Sequence, residues 1–218
     1  TPSQGSPVMM FTEGDAISRS VAWALLLMSV ASWVLIVWKT WLIVRLGASL
    51  SRGVSAFWQA PSLSQALQRT ADFDPQGLSA PLLQAAQAPP PGTLGGDAQA
   101  RLTRILRDGL QASSDRLQYG QVLLATVGST APFVGLLGTV WGIYHALSGM
   151  ASSAQLSIEQ VAGPVGEALI MTAAGLAVAI PAVLAYNIMG RRIGRIEAEL
   201  EGFAHDLRDL LAPPGGSS

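Results

Sequence analysis

One acidic residue, Glu167, interrupts an apolar stretch over residues 161–189, and hydroxyls, among them those of Ser129, Thr130, Thr139 and Thr172, punctuate this stretch and the one before it. In a hydrocarbon environment such side chains are able to hold or pass a proton. An ionised carboxylate at the bilayer centre costs roughly 2.5–3.5 kcal/mol or more, so there Glu167 has to be neutral, paired or hydrated. Counting back from Met189 also allows Glu167 to lie at the outer interface, and the sequence leaves both placements open. The hydroxyls have a plainer use as well, bonding back to carbonyls of their own helices. His145 and His205 have no second ligand at metal spacing. Cysteine is absent, which removes disulfides, thiolate chemistry and cysteine-ligated metals. No phosphate-cradling glycine loop of the P-loop type occurs, and no catalytic constellation is visible. The chain reads as a non-enzyme without metal or cofactor. Energetic work would draw on an ion gradient, with protons as the coupling ion at ~2.3 kcal/mol per charge per 100 mV.

The elements that must position these groups are apolar helices. Half the residues are hydrophobic and 12% are charged, about half the charge usual in a water-soluble domain. The apolar residues gather into runs at residues 21–44, 122–145 and 161–189. A bilayer core of ~30 Å needs ~20 helical residues, so each run is long enough to span. A soluble helical bundle would need polar outer faces, which these runs lack. In the first run the one charge is Lys39, near the end, where a long side chain can snorkel to the headgroups. Net charge is −1, which gives no argument for nucleic acid or for a polybasic lipid tract.

Basic residues set the orientation. Of 13 lysines and arginines, only Arg19 precedes the first span, and residues 145–160 contain none. The positive-inside rule then places the N-terminal segment 1–20 and the loop 146–160 on the outer side, and the loop 45–121 and the tail 190–218 in the cytoplasm. That is a multi-pass membrane protein, N-terminus out and C-terminus in. Residues 1–7 are rich in proline, serine and glycine and carry no signal-peptide pattern.

Within the large loop, residues 74–97 hold Pro89-Pro90-Pro91 and Gly95-Gly96 and read as a linker or ordered turn. Beyond it, Leu102, Ile105, Leu106, Leu110 and Leu117 predict an amphipathic helix running directly into the second span. In the tail, Ile193, Ile196, Leu200, Phe203, Leu207 and Leu210 make a heptad seam, to be filled by the same chain's loop helix or by another subunit. Pro213-Pro214-Gly215-Gly216 marks the predicted end of order. Gly128, Gly135, Gly142 and Gly149 recur every seven residues, and Gly138 adds a small-xxx-small pair with Gly142. With Pro132 and Pro181, each of which removes a helical hydrogen bond, they predict helices held by neighbours in an oligomer.

These residues carry a resemblance. Gly128-Ser129-Thr130-Ala131-Pro132-Phe133 and Gly135-Leu136-Leu137-Gly138-Thr139 resemble the second-helix signature of the ExbB/TolQ family, relatives of the flagellar stator protein MotA. Glu167-Ala168-Leu169, Thr172-Ala173, Ala179-Ile180-Pro181-Ala182 and Tyr186-Asn187 resemble its third-helix signature, and the first motif is worded more like the ExbB branch than the TolQ branch. The resemblance implies an all-α membrane protein whose three transmembrane helices extend into the cytoplasm and assemble as a homo-oligomer, a pentamer, around a central pore. An ExbD-like single-span partner would sit in that pore, with a TonB-like protein docked outside and lipid around the whole. The proton motive force would energise uptake of iron-siderophores and cobalamin through TonB. In similar proteins an aspartate on the partner helix takes up and releases the proton. Thr139 and Thr172 would then face the lumen beside it, Glu167 would sit on the periplasmic side of the path, and Pro181 would shape the third helix. A TolQ-like subunit of the Tol-Pal envelope motor and a passive membrane scaffold are the other readings.

Overall fold

The computed structural model describes residues 16–74, 77–87, 98–150 and 158–211, all helical apart from short connections. The predicted outer segment to residue 15, the Pro89-Pro90-Pro91 and Gly95-Gly96 punctuation, residues 151–157 of the outer loop and the terminal Pro213-Pro214-Gly215-Gly216 lie outside the described residues. The helices are α1 (Ala16–Trp58), α2 (Leu63–Phe73), α3 (Ala80–Gln87), α4 (Ala98–Gln118), α5 (Gln121–Met150) and α6 (Ile158–Leu211). Three of them, α1, α5 and α6, are long and apolar enough to cross a membrane. Each outlasts the apolar run predicted within it, most of all α6 with 54 residues.

The chain divides into two compact units, Thr1–Trp38 with Gly120–Asn187, and Lys39–Tyr119 with Ile188–Ser218. The first has a core of Val21, Ala22 and Leu25 from α1, Val127 and Ala131 from α5, and Met171, Val178, Ala179 and Ala182 from α6. Hydrocarbon tails are as apolar as these side chains, so burial gives little drive between membrane helices, and close packing has to supply it. Glycines make that packing possible. A Cβ on Gly135 would lie 2.6 Å from the Met171 carbonyl oxygen, and one on Gly175 would lie 2.6 Å from that of Ala131. Gly142 faces Ala168, Gly128 faces Val183, and Gly138 faces Val21 and Met171. Apart from Gly149, which has open space around its Cβ position, the seven-residue glycine strip thus packs within the chain rather than against another copy. Pro132 and Pro181 lie inside unbroken helices.

In the second unit the seam of α6 is buried at Ile193, Ile196, Leu200, Phe203 and Leu207, while Leu210 is exposed. It packs on its own chain. Phe203 meets Phe57 of α1 edge-on at 5.1 Å between ring centroids, and Ile196 lies against Gly47. Burial raises the Glu199 carboxyl above the ordinary glutamate range, against the pull of a hydrogen bond from Ser51.

Two expectations are corrected here, and one open alternative is decided. First, α4 does not run into the second span, because the chain turns at Tyr119 and Gly120, with Gly120 at φ +83°. An α-helix cannot pass through that conformation, which glycine adopts without a steric penalty. Within residues 74–97, the ordered alternative holds over the described residues 77–87, where a short helix, α3, is tied to α4. Asp74 accepts hydrogen bonds from the Ser79 amide and hydroxyl, both at 2.6 Å, and Ser113 of α4 donates to the Leu78 carbonyl at 2.8 Å. Pro81 and Leu82 seat on Gly109. Second, Lys39 is 1% exposed and does not snorkel to the surface. Helical phase explains this, since Lys39, Ile43, Leu46 and Leu50 recur at three and four residues and share the buried face.

Three outcomes are expected. Gly135→Ala and Gly175→Ala each force α5 and α6 apart and cost about 1–3 kcal/mol of stability, read as thermal unfolding in detergent. Gly190→Ala, with nothing within 4 Å of its Cβ position, is neutral or slightly stabilising. As pH rises just above the ordinary glutamate range, the unfolded Glu199 ionises before the folded one, so folding loses stability. The difference between wild type and Glu199→Gln over that range should therefore grow in favour of the variant.

Candidate functional site

Backbones this close bring polar groups of α5 and α6 together at one level of the first unit. Thr139 is 7% exposed, and its hydroxyl donates to the Ala168 carbonyl at 2.8 Å, with its own Gly135 carbonyl farther away at 3.3 Å. The Thr172 hydroxyl lies 2.5 Å from that of Thr139 and is half-buried. Thus the two sequence-predicted threonines meet.

The proton count fixes their directions. A carbonyl only accepts, so the single hydroxyl proton of Thr139 goes to Ala168, and Thr172 must donate in the short bond between the hydroxyls. Thr139 has then used its one proton and one of its two lone pairs, and it is buried. Thr172 has spent its proton on Thr139 and, half-buried, keeps both lone pairs. Such an oxygen accepts from a neutral acid as it stands. To serve a carboxylate it must turn its proton away from Thr139.

The other predicted residues lie apart from this pair. Glu167 is exposed and makes no hydrogen bond or ion pair among the described residues. It precedes Thr172 by five positions, about 140° around an ideal helix, so the two project in different directions. The Thr130 hydroxyl donates to the Thr126 carbonyl at 2.7 Å, and that of Ser129 donates to the same oxygen at 3.1 Å. These are the local helix bonds expected of membrane hydroxyls, and both residues are exposed. His145 is exposed, and His205 lies on the surface near Arg208 and Asp209. Among the described residues no three His, Asp or Glu side chains are grouped as a metal site would require.

The Ala168 carbonyl was not visible in the sequence as part of the site. Its only signal was position, one residue after Glu167 and one turn before Thr172. A second polar cluster was missed as well, where Glu197 of α6 accepts hydrogen bonds from Ser114 and, at 3.1 Å, from Gln118 of α4. Its residues belong to two stretches far apart in sequence, and only the fold joins them.

Comparison with known proteins adds the following. Residues 74–202 match the model of the MotA/TolQ/ExbB proton channel family. The chain is 44% identical over 219 residues to the biopolymer transport protein ExbB of Xanthomonas campestris pv. campestris, covering 94% of this chain and 85% of the relative. It is 39% identical over 210 residues to the ExbB of Neisseria meningitidis serogroup A, covering 93% and 96% respectively. Likeness to the Tol-Pal system protein TolQ of Pseudomonas aeruginosa is 41% but covers 50% of this chain and 48% of the relative.

Thr139→Val should leave the Ala168 carbonyl and the Thr172 proton without their present partners and lower thermal stability by about 1–2 kcal/mol, near the upper end for hydrogen bonds between membrane helices. Thr139→Ser retains the donor and should unfold closer to wild type than Thr139→Val in the same measurement.

Proposed function

The chain belongs to the MotA/TolQ/ExbB proton channel family, and from that premise we propose that it is the wall subunit of an ExbB-type motor that couples proton entry to work on a TonB-like protein. The observation that carries the ExbB reading is likeness to ExbB over 94% of the chain, against half of it for TolQ. In this reading the protein sits in the inner membrane as a homo-oligomer, a pentamer, with its N-terminus in the periplasm. An ExbD-like single-span partner occupies the central pore.

The threonine pair supports a role in that pore. A partner aspartate that has taken up a proton presents an O–H, and a free lone pair of Thr172 accepts it without any rearrangement of the wall. An ionised aspartate at the same level would need the Thr172 proton, at the expense of the bond to Thr139. The wall therefore favours the neutral acid, the form that crosses an apolar surface without the roughly 2.5–3.5 kcal/mol or more charged to a carboxylate. Loading the proton on the periplasmic side lets the partner helix move past the wall, and release on the cytoplasmic side makes the step directional, driven by ~2.3 kcal/mol per proton per 100 mV. Glu167, exposed on another face of α6, serves as a periplasmic-side group that draws protons toward the path.

A TolQ-type role has one observation in its favour, the 41% identity to TolQ over half the chain. Deletion strains separate the two roles. An ExbB-type chain restores iron-siderophore uptake, and a TolQ-type chain restores detergent resistance.

In vesicles holding this chain and its single-span partner, Thr172→Val should lower proton flux at least tenfold, and Thr172→Ser should retain most of it. Glu167→Gln should reduce flux less than Thr172→Val does. Flux equal to wild type in Thr172→Val, Thr139→Val and Glu167→Gln alike removes all three from the path, and no flux in any protein, wild type included, supports a passive scaffold.

A further inference from the structure

The second unit carries two open grooves, one on each side of α6. One, of about 370 Å³, lies between α4 and α6 and presents Arg107, Glu197 and Glu201. The other, of about 360 Å³, lies between α1 and α6 and presents Arg192, Arg195 and Glu199 over Ile43 and Val44. Their charges are opposite in balance, one arginine against two glutamates and two arginines against one glutamate.

This segregation is built into the helix phase. At 100° per residue, Arg192 and Arg195 project roughly 65° and 125° to one side of the buried seam, and Glu197 and Glu201 project roughly 75° and 115° to the other. Arg192, Arg195 and Glu201 are exposed, and neither arginine is paired with a carboxylate among the described residues. Ser114 and Gln118 hold Glu197 at the lip of its groove rather than letting it swing free. In each groove apolar surface lies beside the charges, Leu110 and Leu200 in one and Ile43, Val44 and Ile196 in the other.

We propose that these flanks are the two halves of one head-to-tail interface, the arginine flank of each copy seating on the glutamate flank of the next so that copies close into a ring. This rests on the homo-oligomer of the functional reading and deepens it by naming the contact. A second copy fits because it alone is bound to bring the complementary flank on the same helix. The centres of the two charge pairs differ by about 8 Å along the α6 axis, within the combined reach of arginine and glutamate side chains. Two-fold pairing is disfavoured, since flanks on nearly opposite sides of a helix cannot share one self-complementary patch, and a two-fold axis would set arginine on arginine. A head-to-tail contact sets unlike charges together at every joint and leaves no flank unfilled once the ring closes.

The test is charge exchange in the full chain, purified in detergent and sized by native mass spectrometry and light scattering. Arg192→Glu with Arg195→Glu should lower the ring population at least tenfold at equal concentration, as should Glu197→Arg with Glu201→Arg. Combining all four reversals should restore the wild-type assembly. The pair Arg195→Glu and Glu201→Arg, alone and together, repeats the exchange while sparing Glu197 and its bonds to α4, and circular dichroism confirms that each variant folds. Rings that persist in both single-flank variants overturn the contact and leave the homo-oligomer standing, whereas a monomeric wild type overturns the homo-oligomer itself. A folded four-residue exchange that fails to reassemble also overturns the contact. So does an intact ring that has lost the single-span partner with the glutamate flank, or bound anionic lipid with the arginine flank, since another occupant is then shown in that groove.

Discussion

The membrane part of this protein depends on one constraint, that α5 and α6 must approach until glycine backbone meets carbonyl oxygen. In lipid the apolar side chains gain little by touching each other rather than acyl chains, so stability has to come from dispersion at short range and from hydrogen bonds between helices. Gly135 and Gly175 open the space, each with a carbonyl of the opposite helix where a methyl would lie. The same approach lets the Thr139 hydroxyl reach across to Ala168 at 2.8 Å. Remove the approach and the bond cannot form; remove the bond and a polar hydroxyl is left facing its own helix alone.

That interhelical bond also makes the two threonines unequal. Thr139 is the buried member, held by its proton to a carbonyl, while Thr172 is half-buried with its lone pairs unused. A wall meant to pass a protonated acid benefits from this arrangement. It offers an acceptor that is ready without reorganisation, where a wall of freely rotating hydroxyls would first have to order them. The polarity is set by a backbone carbonyl, which cannot change protonation state, so in the proposed motor the preference would persist through each cycle.

The second unit is held by different physics. Its seam buries leucine, isoleucine and phenylalanine, with Phe203 and Ile196 against α1, and its short connections are closed by polar side chains, with Asp74 capping Ser79 and Ser113 tying down the Leu78 carbonyl. Thr70 adds a bond to the Gly53 carbonyl at 3.3 Å where α2 packs closely on α1. Such ties fix the rotation of each helix about its axis. Rotation is what sorts the charges of α6 to two sides, because a seam buried at spacings of three and four leaves every other position a defined angle from it.

Angle is also what separates what the sequence revealed from what it hid. A hydropathy profile averages over a helix circumference, so it found three spans and their polar interruptions but carried no information on which way each side chain faces. Lys39 was therefore placed at the lipid surface, although its spacing to Ile43, Leu46 and Leu50 turns it inward. The glycine strip was legible as a strip, but whether it met the same chain or another depended on where α6 crossed. Gly120 looked like any helical glycine until its positive φ separated α4 from α5. The threonines could be singled out from their types alone as polar groups within apolar spans, and a place facing a pore came only from the resemblance. Their order as donor and acceptor could not, because it is decided by the Ala168 carbonyl, and backbone atoms are common to every residue and leave no mark in a sequence.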